Sequence, residues 1–173
     1  FTGSKNSEVL VYDIRDGPTA KLVSGGFDAI RDLQFSPHQE HGNFFVSCDD
    51  AGIVRMWDLR RTDKALLIFP AHHGYVSSVQ FSPISKFLLA TGGGRDKLIK
   101  IWDWSKSYEN GPLYSMETMA PVGRVYWRPN ANCSTQLATC SVVNDTSVHI
   151  WDIRRPYMPY ASFSEHRDSV TCE

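Results

Sequence analysis

Histidine and cysteine are the residue types in this sequence whose side chains most readily bind a metal, and their spacing argues against a metal site. None of the cysteines forms a Cys-x-x-Cys pair, and no histidine stands at ligand spacing from a cysteine or a carboxylate. The residues concerned are Cys48, Cys133, Cys140 and Cys172, with His72, His73, His149 and His166. The sequence therefore predicts no metal and no cofactor, and its unpaired cysteines fit a reducing compartment.

Serine, histidine and aspartate are all present, so hydrolysis by an activated serine is the next chemistry to consider. The Gly-x-Ser-x-Gly turn that exposes such a nucleophile is missing from the sequence. The glycines at 92–94, followed by Arg95, resemble a phosphate-binding loop but lack the Gly-Lys-Ser/Thr ending and the following helix. We therefore expect neither enzyme activity nor a small-molecule substrate.

Composition and charge narrow the function classes further. The 173 residues carry a formal net charge of −1 and 42% apolar residues, which is ordinary for a folded domain. A near-zero charge argues against nucleic-acid binding, and no apolar run approaches the ~18 residues of a membrane-spanning helix. We expect a cytoplasmic protein without membrane insertion. Because the chain begins at Phe1 and ends within a repeat at Glu173, we also expect it to be a piece of a longer protein.

A repeated aromatic-aspartate pair organises the sequence. The pairs Trp57-Asp58, Trp102-Asp103 and Trp151-Asp152 recur, and Tyr12-Asp13 is a softer copy. Successive aromatic residues are 57 − 12 = 45, 102 − 57 = 45 and 151 − 102 = 49 residues apart. Each copy ends a stretch in which apolar and polar residues alternate, as is typical of a β-strand.

Each period holds four strand-like segments separated by turns, which matches one blade of a β-propeller. Helical repeats of this length are disfavoured, because no window shows helical apolar spacing. We predict an all-β propeller, incomplete, with about three full blades and parts of two flanking blades. The expected bounds are a blade tail at 1–24, blades at about 25–70, 71–117 and 118–164, and the start of a further blade at 165–173.

One repeat carries a complete set of four polar residues, and this set resembles the WD40 family. The four are His72, Thr91, Asp96 and Trp102. In WD40 proteins, residues at these positions form a hydrogen-bonded structural tetrad inside each blade. The resemblance therefore implies a WD40 propeller in which these side chains hold the blade together, since a buried indole N–H and a buried imidazole each need a partner.

The neighbouring repeats keep only part of this set. The retained members are Ser47 and Trp57 in the preceding repeat, and Thr139, Asp145 and Trp151 in the following one. Gly26 and Thr118 occupy the histidine position in these repeats, and Ala51 occupies one aspartate position. We expect such departures to alter the stability of single blades and to leave the fold unchanged. His149 is expected to be an exposed cross-strand partner and not a ligand.

A narrower resemblance extends over nearly the whole chain. Segments 90–97, 125–129, 137–141 and 151–168 resemble the propeller of the WD-repeat and RING-domain subunits of the GATOR (yeast SEA) complex. The resemblance implies a non-catalytic scaffold that binds WD-repeat and nucleoporin-like subunits and positively regulates amino-acid-dependent TOR signalling. It also implies recruitment to the lysosomal or vacuolar membrane. The RING of these relatives, with its zinc and ubiquitin-ligase chemistry, would lie outside this chain.

Exposed residues near the blade ends are the candidates for partner binding. Arg60 and Arg154 lie in an aromatic-Asp-x-Arg pattern similar to one in substrate receptors of cullin-type ubiquitin ligases, which is the alternative function. Each arginine is equally suited to pairing with the aspartate that ends its strand. The aromatic, proline-stiffened linker at 156–160 suits either a partner surface or packing along the edge of its blade. The remaining candidates are Arg95, Lys97, Tyr75, Arg124 and Tyr157.

Overall fold

Short antiparallel strands account for nearly all regular structure in the computed structural model of this chain. It describes residues 2–3, 8–12, 15, 20–24, 28–106, 108–141, 143 and 145–170. Gly26, predicted to replace a tetrad histidine, lies outside the described residues, as do residues 171–173. Within the described part, the strands form one three-stranded and three four-stranded sheets.

Four sheets follow one another along the chain, and each is a meander of consecutive strands. Sheet A contains β1 (Thr2–Gly3), β2 (Glu8–Tyr12) and β3 (Ala20–Ser24). Sheet B contains β4 (Ile30–Phe35), β5 (Phe44–Asp49), β6 (Ile53–Asp58) and β7 (Leu67–Pro70). Sheet C contains β8 (Val76–Phe81), β9 (Leu88–Gly93), β10 (Leu98–Asp103) and β11 (Tyr114–Glu117). Sheet D contains β12 (Val122–Trp127), β13 (Gln136–Ser141), β14 (Val148–Asp152) and β15 (Ala161–Phe163).

The core lies between neighbouring sheets. Apolar residues on one face of sheet B pack against those on the facing side of sheet C, and the other face of sheet C packs against sheet D in the same way. Examples are Val46, Val54 and Met56 against Val79 and Phe81, and Ile99, Ile101 and Met116 against Val125 and Trp127. Burying one such side chain contributes roughly 1.5–3 kcal/mol, so these contacts dominate the stability of the stack. The central strands are apolar on both faces for this reason, as β6 shows by being buried at all but its first residue.

Side chains of one sheet satisfy the free backbone edge of the next sheet. The amide of Phe81 in β8 donates to the Gln34 side chain of sheet B, and the amide of Trp127 in β12 donates to the Gln80 side chain of sheet C. A second such bond lies two residues earlier on each strand, from Val79 to Asp32 at 3.0 Å. An exposed strand edge is a liability, and these bonds close it while fixing the stagger between sheets.

The equivalent positions of sheet D break this pattern. Arg124 stands where the other sheets have Asp32 and Ser78, and a guanidinium cannot accept a hydrogen bond. Instead, Arg124 Nη1 lies 3.2 Å from Asp32 Oδ2, so an ion pair connects the innermost strands of sheets B and D across sheet C. The prediction of an all-β, unclosed set of propeller-like sheets is confirmed. Residues 165–170, predicted to begin a further blade, form no strand, and the predicted blade bounds stay a prediction.

We expect Gln80→Leu to lower the free energy of unfolding by about 1–2 kcal/mol, because the substitution leaves the Trp127 amide unpaired in a partly buried interface. Chemical denaturation monitored by tryptophan fluorescence measures the change. Gln136→Leu is the matched control and should cost less than about 0.5 kcal/mol, since among the described residues the Gln136 side chain bonds to the exposed Arg128 side chain and to no backbone amide. Equal losses in the two variants would contradict a role for Gln80 between sheets.

Candidate functional site

The four predicted tetrad residues form one hydrogen-bonded chain inside sheet C. Thr91 Oγ1 is its centre and lies 2.9 Å from Trp102 Nε1 and 2.8 Å from His72 Nε2. The other ring nitrogen, His72 Nδ1, lies 2.9 Å from Asp96 Oδ2. His72 comes from the connection between β7 and β8, Thr91 from β9, Asp96 from the β9–β10 turn and Trp102 from β10. Four segments of the sheet are therefore joined by polar side chains as well as by backbone bonds.

The direction of each bond follows from the charge state of His72. Burial lowers the pKa of His72 from 6.5 to about 4, although the carboxylate of Asp96 opposes the shift. At neutral pH the ring is therefore uncharged, donates from Nδ1 to Asp96 and accepts the Thr91 hydroxyl proton at Nε2. The oxygen of Thr91 then accepts the Trp102 N–H. Every donor among these four side chains has an acceptor, so none of these groups is free for chemistry.

Two glycines, the last residue of β9 and the first residue of the β9–β10 connection, leave the space that this arrangement needs. A Cβ on Gly93 would lie 1.9 Å from Asp96 Oδ1 and 2.4 Å from His72 Nδ1. A Cβ on Gly94 would lie 1.9 Å from the ring of Tyr75. Lys97 completes the turn in the left-handed region at φ 56°, which is uncommon for a residue with a side chain. The glycine-rich loop thus admits side chains of its own sheet and precedes a strand.

The partial sets keep the bond between hydroxyl and indole. Trp57 Nε1 donates to Ser47 Oγ at 3.0 Å in sheet B, and Trp151 Nε1 donates to Thr139 Oγ1 at 2.9 Å in sheet D. Thr118, at the histidine position of sheet D, bonds to the carbonyls of Lys97 and Ala120 and does not reach Thr139. Each incomplete blade therefore has its central pair without a histidine bridge.

A basic residue opposite each central hydroxyl was not predicted to form part of these networks. Arg55, Lys100 and His149 are the cross-strand partners of Ser47, Thr91 and Thr139. The signal in the sequence is a basic residue two positions before each of the three repeat tryptophans.

These three basic residues find different acceptors. Arg55 forms a buried ion pair with Asp49 in the blade that has Ala51 at the aspartate position. Lys100 Nζ donates to the carbonyl of Ala71 at 2.7 Å. His149 bonds to Asp145 Oδ2 at 2.9 Å and to its cross-strand neighbour Ser162 at 2.8 Å, so it is half-buried and already bonded.

Arg60 and Arg154 occupy the same geometry at the ends of β6 and β14. Arg60 Nη2 lies 2.9 Å from Asp58 Oδ2, and Arg154 Nη2 lies 2.8 Å from Asp152 Oδ2. The Arg154 hydrogen bond lowers the pKa of Asp152 to about 2. Both guanidinium groups remain about two-thirds exposed, at 67% and 69%. Pairing with the strand-end aspartate and exposure to a partner are therefore compatible.

The other predicted contact residues fall in two places. Tyr75 and Arg124 line one cleft of about 310 Å³, together with Arg31, whose guanidinium lies 4.9 Å from the centre of the Tyr75 ring. Arg95 is exposed beside Gly74, and Lys97 Nζ lies 3.3 Å from the carbonyl of Met119. Tyr157 does not line this cleft. It lies on the β14–β15 connection, and 96% of its surface is exposed.

Among the described residues, no three histidines, cysteines or acidic residues cluster in a way that could hold a metal ion. The described cysteines Cys48, Cys133 and Cys140 form no disulfide with one another. Burial raises the pKa of the Cys48 thiol well above its usual value. No described helix is long and apolar enough to cross a membrane.

Comparison with known proteins identifies the repeat. The family described as "WD domain, G-beta repeat" matches residues 18–58 and 63–103. Each matched stretch contains the last strand of one sheet and the first three strands of the next, so a sequence repeat spans two sheets. A chain of the solved mitotic checkpoint complex superposes with a TM-score of 0.81 at 20% identity, covering 97% of this chain and 49% of that one.

The curated relatives are similar over nearly the whole chain. The human "GATOR2 complex protein WDR24" is 38% identical over 171 residues, which cover 99% of this chain and 21% of that protein. The Drosophila melanogaster protein "GATOR2 complex protein Wdr24" is 38% identical, with the same coverage of both chains. The chain thus spans about a fifth of the length of these relatives. The repeated Trp-Asp strands, the blade-like sheets and these matches show that the chain carries WD40 repeats.

Proposed function

We propose that this chain is part of the propeller of a GATOR2 subunit, and that it acts as a non-catalytic scaffold for other proteins. The observation that carries the proposal is the similarity of 38% over 99% of the chain to proteins named as GATOR2 complex protein WDR24. The geometry agrees with a scaffold, because the conspicuous polar residues are bonded to one another within the sheets. The tetrad residues His72, Thr91, Asp96 and Trp102 have a structural role in this proposal.

The proposed biological role is positive regulation of TOR signalling in response to amino acids. The partners are WD-repeat and nucleoporin-like subunits of the same assembly, through which a cytoplasmic protein is recruited to the lysosomal or vacuolar surface. Contacts with those partners are proposed to come from Arg95, Lys97 and Tyr157, which are exposed in loops, and from the partly buried Tyr75 and Arg124, the latter on β12.

Affinity purification of the full-length protein, followed by mass spectrometry, tests this proposal. We expect recovery of WD-repeat and nucleoporin-like subunits in near-stoichiometric amounts. Depletion of the protein should lower the amino-acid-stimulated phosphorylation of TOR substrates. Recovery of cullin-ligase components alone, with unchanged TOR output, would reject the GATOR2 assignment.

A substrate receptor of a cullin-type ubiquitin ligase is the second candidate, favoured by the matched exposure and geometry of Arg60 and Arg154. We expect the double variant Arg60→Glu and Arg154→Glu to bind the GATOR2 subunits normally. Loss of a co-purifying ligase adaptor in this variant would instead support the receptor function. Lys106→Glu is the matched control, because Lys106 pairs with the strand-end Asp103 in the one described Trp-Asp repeat without the arginine.

A further inference from the structure

Two loops of this chain have the same backbone structure and different surface chemistry. Loop B (residues 59–66) joins β6 to β7, and loop D (residues 153–160) joins β14 to β15. In loop B the amide of Leu59 donates to Asn43 O at 2.9 Å, and the amide of Arg60 donates to Asp58 Oδ1 at 2.9 Å. The amide of Arg61 donates to Asp58 O at 2.9 Å, and the amide of Leu66 donates to Met56 O at 2.8 Å. In loop D the amide of Ile153 donates to Thr135 O at 3.0 Å, and the amide of Arg154 donates to Asp152 Oδ1 at 3.0 Å. The amide of Arg155 donates to Asp152 O at 2.8 Å, and the amide of Tyr160 donates to Ile150 O at 2.7 Å.

The residues between these anchors differ sharply in polarity. Loop B places Asp63 and Lys64 at its exposed tip, whereas loop D places Tyr157 and Met158 there, 96% and 68% exposed. Prolines at 156 and 159 flank that pair. Because loop B forms the same anchoring hydrogen bonds with Asp63 and Lys64 at its tip, the fold does not require an aromatic residue or a methionine there.

Tyr160 extends the apolar surface of loop D. It is 67% exposed, and its counterpart Leu66 in loop B is 49% exposed although sheet C packs against sheet B. The exposure at this position is therefore a property of the loop and does not depend on whether another sheet follows. Tyr157, Met158 and Tyr160 together form a patch of a composition enriched at protein interfaces.

Positive charge surrounds the patch. A cleft of about 410 Å³ is lined by Tyr160, Gln136, Asp152, Arg154 and Arg155. Asp152 is occupied by Arg154, and no ion pair to Arg155 or to the neighbouring Arg128 occurs within the described residues. Arg128 donates to the amide oxygen of Gln136 at 2.8 Å, which holds it beside the cleft. Arg155 in the cleft and Arg128 next to Gln136 therefore provide two positive charges that no carboxylate of the described residues pairs with.

We propose that loop D is a docking surface for an acidic segment of another protein. Carboxylates of the segment bind Arg155 and Arg128, and an aliphatic or aromatic side chain beside them packs on Tyr157, Met158 and Tyr160. The prolines restrict the loop before binding, which reduces the entropy lost on association. Two unpaired arginines are fewer than the four to eight basic residues typical of an anionic-membrane site. The inference deepens the proposed scaffold function and rests on it.

Site-specific photo-crosslinking tests this surface in the full-length protein in cells. The photoreactive residue p-benzoylphenylalanine replaces Tyr157, or Asp63 at the matched position of loop B, and crosslinked peptides are sequenced by mass spectrometry. We expect a discrete crosslink from position 157 only. The captured peptide should contain at least two Asp or Glu residues close to a Leu, Ile or Phe.

Substitutions that exchange the two loop tips provide the controls. Arg155→Glu and Met158→Lys should each reduce the yield of the crosslink at least tenfold, whereas Lys64→Met should leave it unchanged. Met158→Lys installs the residue that loop B carries at the same position, so the fold is expected to be retained, as thermal unfolding would verify.

Several outcomes would overturn the inference. They are equal crosslinking from 63 and 157, capture of a lipid, capture of a segment without acidic residues, and capture of another copy of this chain. The subunits recovered from the same cells report separately on the GATOR2 assignment. An acidic peptide captured without GATOR2 subunits would reject that assignment and leave the docking surface in place.

Discussion

Thr91→Val is expected to lower the free energy of unfolding by about 3 kcal/mol. Valine has nearly the shape of threonine, so the packing of the fully buried site is retained while its hydroxyl is lost. Trp102 Nε1 and His72 Nε2 both depend on that oxygen, at 2.9 and 2.8 Å. A buried polar group without a partner costs roughly 1–3 kcal/mol, and two groups are orphaned here.

Sheet D provides the control for this prediction. Thr139 is buried in the same position but pairs with Trp151 alone, so Thr139→Val should cost about 1–2 kcal/mol. Thr91→Ser keeps the hydroxyl and should cost about 1 kcal/mol for the lost methyl group. Urea denaturation of the three variants measures the differences. Equal losses for Thr91→Val and Thr139→Val would show that the histidine bridge adds nothing to sheet C.

The repeated strands could be predicted from the sequence because their pattern is local. The alternation around Trp57, Trp102 and Trp151 is a property of single strands, and the structure has β6, β10 and β14 at these positions. The tetrad side chains could be placed together because the family resemblance supplied their spacing. Local pattern and family spacing together were thus sufficient for the all-β propeller-like architecture.

Contacts between sheets could not be predicted in this way. Gln34 and Gln80 bond to amides 47 residues further along the chain, and a polar residue within a strand pattern gives no sign of such a partner. The ion pair between Arg55 and Asp49 was missed because Ala51 was compared with the tetrad aspartate, while the actual acid lies two residues earlier. Hydrogen bonds from backbone amides to Gln side chains of another sheet, and buried ion pairs, depend on tertiary geometry that residue spacing does not encode.

The distribution of polar bonds explains why the tryptophan motif describes architecture and the loops carry the functional proposals. Thr91, His72 and Trp102 are buried and bonded to one another, so substitutions there mainly change stability. Loops B and D hold the same backbone with different residues at their tips, and such positions are free to vary without a cost to the fold. Function in a repeat protein of this kind is therefore best sought where equivalent positions of different blades diverge.

The second large effect is a loss of stability as the pH falls from about 7 to about 4. The pKa of His72 is about 4 in the folded protein and 6.5 in its ordinary state, so the unfolded chain binds more protons between these values. The free energy of unfolding therefore rises with pH across this window, and acidification removes the contribution of His72. The difference between these two pKa values corresponds to about 3 kcal/mol of folding stability. Asp152, whose pKa is lowered from 3.8 to about 2, keeps its stabilisation across this window, because that contribution is lost only as the pH falls from 3.8 to about 2.

Denaturation profiles at several pH values between 7 and 4.5 measure this dependence, and two neighbouring histidines separate its causes. His72→Gln should flatten the dependence, because an amide can donate and accept but does not titrate. His73→Gln should retain it, since His73 is exposed and contacts Asp96 through its backbone amide at 3.2 Å. An unchanged pH dependence in His72→Gln would show that other titrating groups cause it and that burial does not lower the pKa of His72.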